Sequence, residues 1–153
     1  MKVSIEIVGD LHENEVVIRC SKLDEDIKRI YDILMDAAKE AKYPVLYKGN
    51  VEYYLPMNDI LFFETSDNSI CAHTVDDVYN TTYHLYELEE ILPRYFMRVS
   101  KSTILNINHI YSISRNITAS SLVQFMNTHK QVYVSRNYYK ALKLRLEEKR
   151  MMK

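Results

Sequence analysis

The sequence predicts a mostly β fold, a set of stacked antiparallel sheets with short helices, preceded by a ββα segment. Three observations predict it. From Val45 onward short apolar stretches follow one another, divided by the turn signals Gly49-Asn50, Asp67-Asn68, Asp76-Asp77 and Asn127-Thr128. Such closely spaced strands favour stacked antiparallel sheets over alternating βαβ units. Finally, the first 43 residues have a different rhythm, alternation followed by helical spacing, which sets residues 1–43 apart as an extension from a main domain over 44–153.

In the extension, Val3, Ile5 and Ile7 alternate with Lys2, Ser4 and Glu6 along 2–8, the period of a half-buried strand. Gly9-Asp10 marks a turn, and Val16, Val17 and Ile18 centre a second strand over 15–20. A helix follows. Leu23, Ile27, Ile30, Tyr31, Leu34, Ala38 and Ala41 recur at spacings of three and four and form one apolar face. Ser21 is the expected N-cap. Asp24, Glu25 and Asp26 lie by the positive end of the helix dipole, Lys39 and Lys42 by the other, and Pro44 stops the helix.

In the main domain, strands are predicted over 45–48, 51–55, 59–65, 69–75, 78–83, 97–100, 103–106, 110–114, 121–126 and 131–135. A short helix at Leu85 to Leu92 turns Leu85, Leu88, Ile91 and Leu92 inward and ends at Pro93. A second, at about Asn137 to Arg150, packs through Tyr138, Ala141, Leu142 and Leu146.

Composition narrows the function. A chain of 153 residues suits one domain with an appendage, and that size removes roughly 70% of the unfolded surface from water. Its only glycines are Gly9 and Gly49, too few and too far apart for a P-loop or a GxGxxG dinucleotide turn. Cys20 and Cys71 supply neither a disulfide framework nor a four-thiolate zinc site. No apolar run approaches the ~20 residues of a membrane span, and no signal-peptide h-region is present, so a soluble, reduced, cytoplasmic protein is expected. The net charge of −1 conceals a strong polarity. Residues 1–93 carry 8 basic and 19 acidic side chains, whereas residues 94–153 carry 12 and 2. Either the basic end meets a polyanion, or the two ends pair within the fold or across a dimer.

Catalysis finds no constellation. The histidines are scattered, and Cys71 with His73 makes a neighbour pair that packing explains better than metal binding. Glu89-Glu90, and Glu52 with Glu64, read as solvated faces rather than acid/base pairs. No metal, cofactor or catalytic residue is assigned. Two segments do stand out. Arg98-Val99-Ser100-Lys101-Ser102-Thr103-Ile104-Leu105-Asn106 packs cations and hydroxyls into a short loop between strands. Lys130-Gln131-Val132-Tyr133-Val134-Ser135-Arg136-Asn137-Tyr138-Tyr139-Lys140 runs from a strand into the basic helix. Cations neutralise phosphates, hydroxyl and amide groups donate to phosphate oxygens, and arginine forks onto guanine.

Over about Pro44 to Glu148 the chain resembles the LytTR-type DNA-binding domain of bacterial transcriptional regulators. The matches run in order: Ile60-Leu61-Phe62-Phe63-Glu64, Tyr86-Glu87-Leu88-Glu89-Glu90-Ile91-Leu92, Tyr95-Phe96, the 98–106 string and Val134-Ser135-Arg136 with its helix. The resemblance implies an elongated stack of β-sheets that reads double-stranded DNA from loops. It places Lys101 and Arg136 next to bases, with Ser69 in a third reading loop, Ser66 to Ser69, that lacks the basic or histidine residue some members carry. Arg98, Ser102, Tyr133, Ser135, Asn137 and Lys140 fall at DNA-backbone positions.

The extension is too short for a receiver domain, so phosphorelay control is not expected. It is similar to that of a compact subclass often encoded beside a small membrane protein that restrains it, which implies such a partner. The reading is therefore a sequence-specific, non-enzymatic DNA-binding regulator acting as a homodimer on a direct or imperfect repeat. The alternative is a protein-interaction module whose acidic and basic parts assemble subunits. Too small to form a core alone, the extension is expected to dimerise through Ile27, Ile30, Tyr31 and Leu34, or else to pack onto the sheets.

Overall fold

The structure is a computed structural model that describes residues 2–9, 15–38 and 43–151. The chain divides into two units, Met1–Glu40 and Ala41–Lys153. In the first, helix α1 spans Glu25–Ala38. Its N-cap is Asp24 rather than Ser21: the Asp24 carboxylate accepts from the Ile27 N–H at 3.1 Å, the third residue of the helix. No side chain of α1 is buried. The strands expected over 2–8 and 15–20 carry no strand pairing. The physical reason is that a strand needs a hydrogen-bonded neighbour, and a lone two-stranded pair in water is marginal. Asp10, Lys39, Ala41 and Lys42 lie outside the described residues.

The second unit follows the predicted element order closely. Its strands are β1 (Leu46–Lys48), β2 (Val51–Tyr53), β3 (Phe62–Ser66), β4 (Ser69–His73), β5 (Val78–Thr81), β6 (Phe96–Ser100), β7 (Thr103–Asn106), β8 (Ile110–Ser114), β9 (Ser121–Phe125) and β10 (Gln131–Val134). Helix α2 (Leu85–Ile91) separates β5 from β6, and α3 (Arg136–Met151) closes the chain. All pairing is antiparallel, in a seven-stranded sheet ordered β2-β1-β5-β4-β3-β7-β6 and a three-stranded sheet ordered β10-β9-β8. Among the described residues no helix is long and apolar enough to cross a membrane.

Two cores flank the larger sheet. Strand side chains alternate between faces, so Phe63 and Ile104 enter one core while Phe62 and Leu105 enter the other. The first is capped by α2 through Leu85, Leu88 and Leu92. The Glu87 carboxylate accepts from the His84 N–H at 2.7 Å and so fixes the start of that helix. The second core lies beneath the three-stranded sheet and α3. On α3 the packing stripe is Tyr138, Leu142 and Leu146, one helical period apart, widened by Tyr139. Ala141, expected inward, is exposed because it falls off the edge of that stripe.

Two polar side chains, one buried and one half-buried, matter to these cores. Asn106 is 0% exposed; its amide donates to the Ile60 carbonyl at 3.0 Å and its oxygen accepts from the Asn108 N–H at 2.9 Å. His73 stacks on Phe62 with ring centroids 4.2 Å apart, and its Nε2 lies 2.9 Å from Glu64 Oε1. Burial, with Lys130 nearby, lowers the His73 pKa to about 4, so the ring is neutral near pH 7 and donates Nε2–H to the carboxylate. Its buried Nδ1, without a hydrogen-bond partner, is then an acceptor lone pair rather than an orphaned proton.

Replacing Asn106 by Ala leaves the Ile60 carbonyl and the Asn108 N–H unsatisfied, and the expected loss is about 2–4 kcal/mol in urea unfolding. Acid acts through His73. Its folded pKa lies below the ordinary 6.5, so its contribution is present above pH 6.5 and is lost as pH falls from there toward 4, by about 2–3 kcal/mol. Burial holds the Glu64 carboxyl above its usual range, so Glu64 gains stability on protonation and offsets part of that loss. His73→Gln keeps a donor for Glu64 and removes the titration; unfolding midpoints measured between pH 7 and pH 4 should flatten in this variant.

Candidate nucleic-acid interface

Two turns and the start of α3 meet at one end of the larger sheet. Glu64 lies opposite Thr103 in the β3–β7 register, so the β3–β4 turn and the β6–β7 turn are neighbours. The Thr65 N–H donates to the Ser102 carbonyl at 2.9 Å and joins their roots. The start of α3 is tied to the same place by an irregularity. The β6–β7 register shifts between Arg98 and Ser100, leaving Val99 outside the ladder. The Val99 carbonyl accepts instead from the Ser135 N–H at 2.9 Å, where β10 passes into α3. One bulge therefore couples the two segments that the sequence singles out.

Within this cluster the predicted residues separate into two groups. Lys101 and Ser102 are exposed in the β6–β7 turn. Arg136, Asn137 and Lys140 are exposed on the first turns of α3, Tyr133 stands 62% exposed on β10, and Ser135 is half-buried between them. Arg98 is engaged within the protein. Its Nε donates to the Ser100 carbonyl at 2.6 Å, one Nη to the Lys101 carbonyl, and the other Nη to Glu89 at 2.8 Å. Three of its five donors are thus spent holding the turn that displays Lys101 and fastening it to α2.

Ser69 is likewise turned inward. Its hydroxyl donates to the Ser66 carbonyl at 2.9 Å, closing a two-residue turn in which Asp67 and Asn68 have φ of 43° and 66°. Asp and Asn tolerate that left-handed backbone better than most residues. The acidic Asp67 at the tip makes this the least phosphate-friendly of the three segments.

The β8–β9 loop, which the sequence reading passed over, lies beside the α3 start. Ala119 and Ser120 line one open concavity with Ser135, Arg136 and Asn137. Asn116 Oδ1 organises the loop by accepting from the Thr118 and Ala119 N–H groups at 3.1 and 3.2 Å. Arg115 stacks over the Tyr139 ring at 5.3 Å. The sequence signal was an Asx turn at Asn116-Ile117-Thr118, directly after a cation.

Three of the four carboxylates considered for acid/base work are occupied elsewhere. Glu89 meets Arg98, Glu52 accepts from the Tyr54 hydroxyl at 2.6 Å, and Glu64 meets His73. Cys71 donates to Asn80 Oδ1 at 3.4 Å. Among the described residues no three His, Cys, Asp or Glu side chains form a group able to hold a metal ion.

Comparison with known proteins gives a consistent family. The LytTr DNA-binding domain model matches residues 51–147. Two relatives, uncharacterized HTH-type transcriptional regulators of Staphylococcus aureus strains NCTC 8325 / PS 47 and N315, are each 27% identical over 146 residues, covering 95% of this chain and 98% of the relative. Among solved structures, a LytTr DNA-binding domain from Bacillus cereus superposes with a TM-score of 0.61 at 25% identity, covering 67% of this chain and 95% of that one.

The Arg98 geometry makes a prediction independent of any ligand. Arg98→Ala should cost about 1–2 kcal/mol in urea unfolding, and amide exchange at Ser102 should quicken. Arg98→Lys should not restore the loop, because one ammonium cannot replace a planar fork. Unchanged exchange in Arg98→Ala would remove the clamp role.

Proposed function

The chain belongs to the LytTR DNA-binding domain family and is a DNA-binding transcriptional regulator, and from that premise we propose that it recognises a specific duplex sequence, reading the major groove from loops. Lys101 and Arg136 are the proposed base readers. Ser102, Tyr133, Ser135, Asn137 and Lys140 are the proposed backbone contacts, with Arg115 added beside them. Arg98 and Ser69 move to positioning roles, the one for the β6–β7 turn and the other for the β3–β4 turn. Its work is binding rather than catalysis.

The observation that carries this reading is the bulge at Val99. Through the Ser135–Val99 hydrogen bond it holds the Lys101 turn and the Arg136 helix start in a fixed relation. Two cations presented from different sheets, with hydroxyls and an amide around them, suit a phosphate-lined groove in which a few positions are read. The α3 N-terminus adds the positive end of a helix dipole. No second helix precedes α3 at this place; β10 does, so reading falls to a turn and a helix start rather than to a recognition helix.

Selection of bound duplexes from a random pool, followed by titration of the selected site, tests the proposal. Arg136→Ala should cost about 1–3 kcal/mol and relax preference at one or two base pairs. Lys101→Ala should do the same where it meets a base edge, and should weaken all sequences equally where it meets only phosphate. Lys140→Ala should lower the salt slope by about 0.9 with little change in preference. Failure to enrich any sequence would overturn specific reading and favour the interaction-module alternative.

A further inference from the structure

Among the described residues of the unit Met1–Glu40, no side chain is buried. Val3, Ile5 and Ile7 are 81, 91 and 93% exposed. Ten of its large apolar side chains are exposed among the described residues. Four of them, Val3, Ile5, Ile7 and Tyr31, at about 100 Å² each, offer on the order of 400 Å² per copy to one contact, to which the half-exposed Ile27, Ile30 and Leu34 add. What covers them is indicated by the pattern itself. Along 2–8, Val3, Ile5 and Ile7 share one face of an extended strand and Lys2, Ser4 and Glu6 the other.

We propose that Lys2–Val8 pairs antiparallel with the same segment of a second copy about a two-fold axis at Ile5, forming a homodimer contact. The sequence is self-complementary in that register. Ile5 faces Ile5 and Val3 faces Ile7, so the apolar face continues unbroken across the axis. Lys2 of each copy lies diagonal to the partner's Glu6, within reach of a long side chain, and the two-fold gives this ion pair twice. A slip of one residue sets Val3 against Glu6 and Ser4 against Ile5, which breaks the face. An isologous contact of this kind closes on two chains. The extended segment gains the backbone partner it lacks, and the partly exposed Ile27, Ile30 and Leu34 of α1, with Tyr31, gain a neighbouring apolar surface.

This proposal does not depend on the DNA reading, and the full chain tests it. Cys20 is an exposed thiol and Cys71 a buried one, so the background is Cys20→Ser. Ile5→Cys in that background should oxidise to a covalent dimer at micromolar concentration, since opposed residues bring Cα atoms within disulfide range. Glu6→Cys should crosslink about tenfold less, because its symmetry mate lies about 8 Å away, beyond that range. In sedimentation the parent should be a dimer and Ile5→Lys a monomer. Lys2→Glu should weaken the dimer, and Lys2→Glu with Glu6→Lys should restore it. A monomeric parent, equal crosslinking from both positions, or a dimer that survives Ile5→Lys would overturn the proposal. Affinity of Ile5→Lys for a single half-site should equal the parent's, which separates loss of the dimer from loss of DNA reading.

Discussion

Burial of the adjacent strands β3 and β7 on both faces is the constraint on which the rest of the structure depends. Phe62 and Phe63 point to opposite sides of the sheet, and so do Ile104 and Leu105 on the neighbouring strand. A sheet whose centre is apolar on both faces cannot leave either in water. One face acquires α2; the other acquires an entire second sheet and α3. Asn106, at the end of β7, has no exposure at all, and its amide and oxygen satisfy backbone groups at Ile60 and Asn108 that no strand partner serves.

That double burial also explains how residues distant in sequence come to act together. Lys101 follows β6 at the edge of the larger sheet, and Arg136 follows β10 in the smaller one. The layers meet through Phe62, which stacks near Phe125 of β9 with centroids 5.3 Å apart, and through Val99 and Val134, both fully buried. Packing of this kind is intolerant of displacement. The Val99 carbonyl, freed from its own ladder, turns layer packing into a directional link. A bulge is ordinarily a lost pairing; here the unpaired group is the joint between two loops.

Most of this architecture was legible in the sequence, because the strands are short, the turn residues frequent, and the apolar residues alternate or run together as burial demands. The β7 string Thr103-Ile104-Leu105-Asn106 is buried throughout, as a central strand should be. The misreadings have physical causes. Residues 2–8 alternate like a strand, but alternation supplies only a face, and a strand also requires a neighbour. The resemblance places Arg98 at a DNA-backbone position and Ser69 in a reading loop; both spend donors on carbonyls within a turn, an engagement that composition alone does not show. The bulge at Val99 and the proximity of the 115–120 loop to α3 are matters of register between strands, which no local pattern encodes.

The same geometry sorts the charges of the chain. Sequence alone left two outcomes, pairing of the basic end with the acidic end or presentation of the basic end to a polyanion. Some cations of the basic end pair within the fold, and others stay exposed. Arg98 meets Glu89, and Lys130 donates to the Thr74 and Asp77 carbonyls at 2.7 and 2.8 Å, among carboxylates of the acidic part. These cations lie inside the fold and hold turns. Lys101, Arg136, Lys140 and Lys143 are exposed instead, in one turn and on the first half of a helix anchored by Leu142. Internal pairing therefore consumes the cations that build the loops, and the surplus stands where the loops open to solvent. Because an exposed cation meeting a phosphate releases counterions at little desolvation cost, the exposed cations beside the β6–β7 turn and the α3 start are the ones the proposed DNA contact draws on.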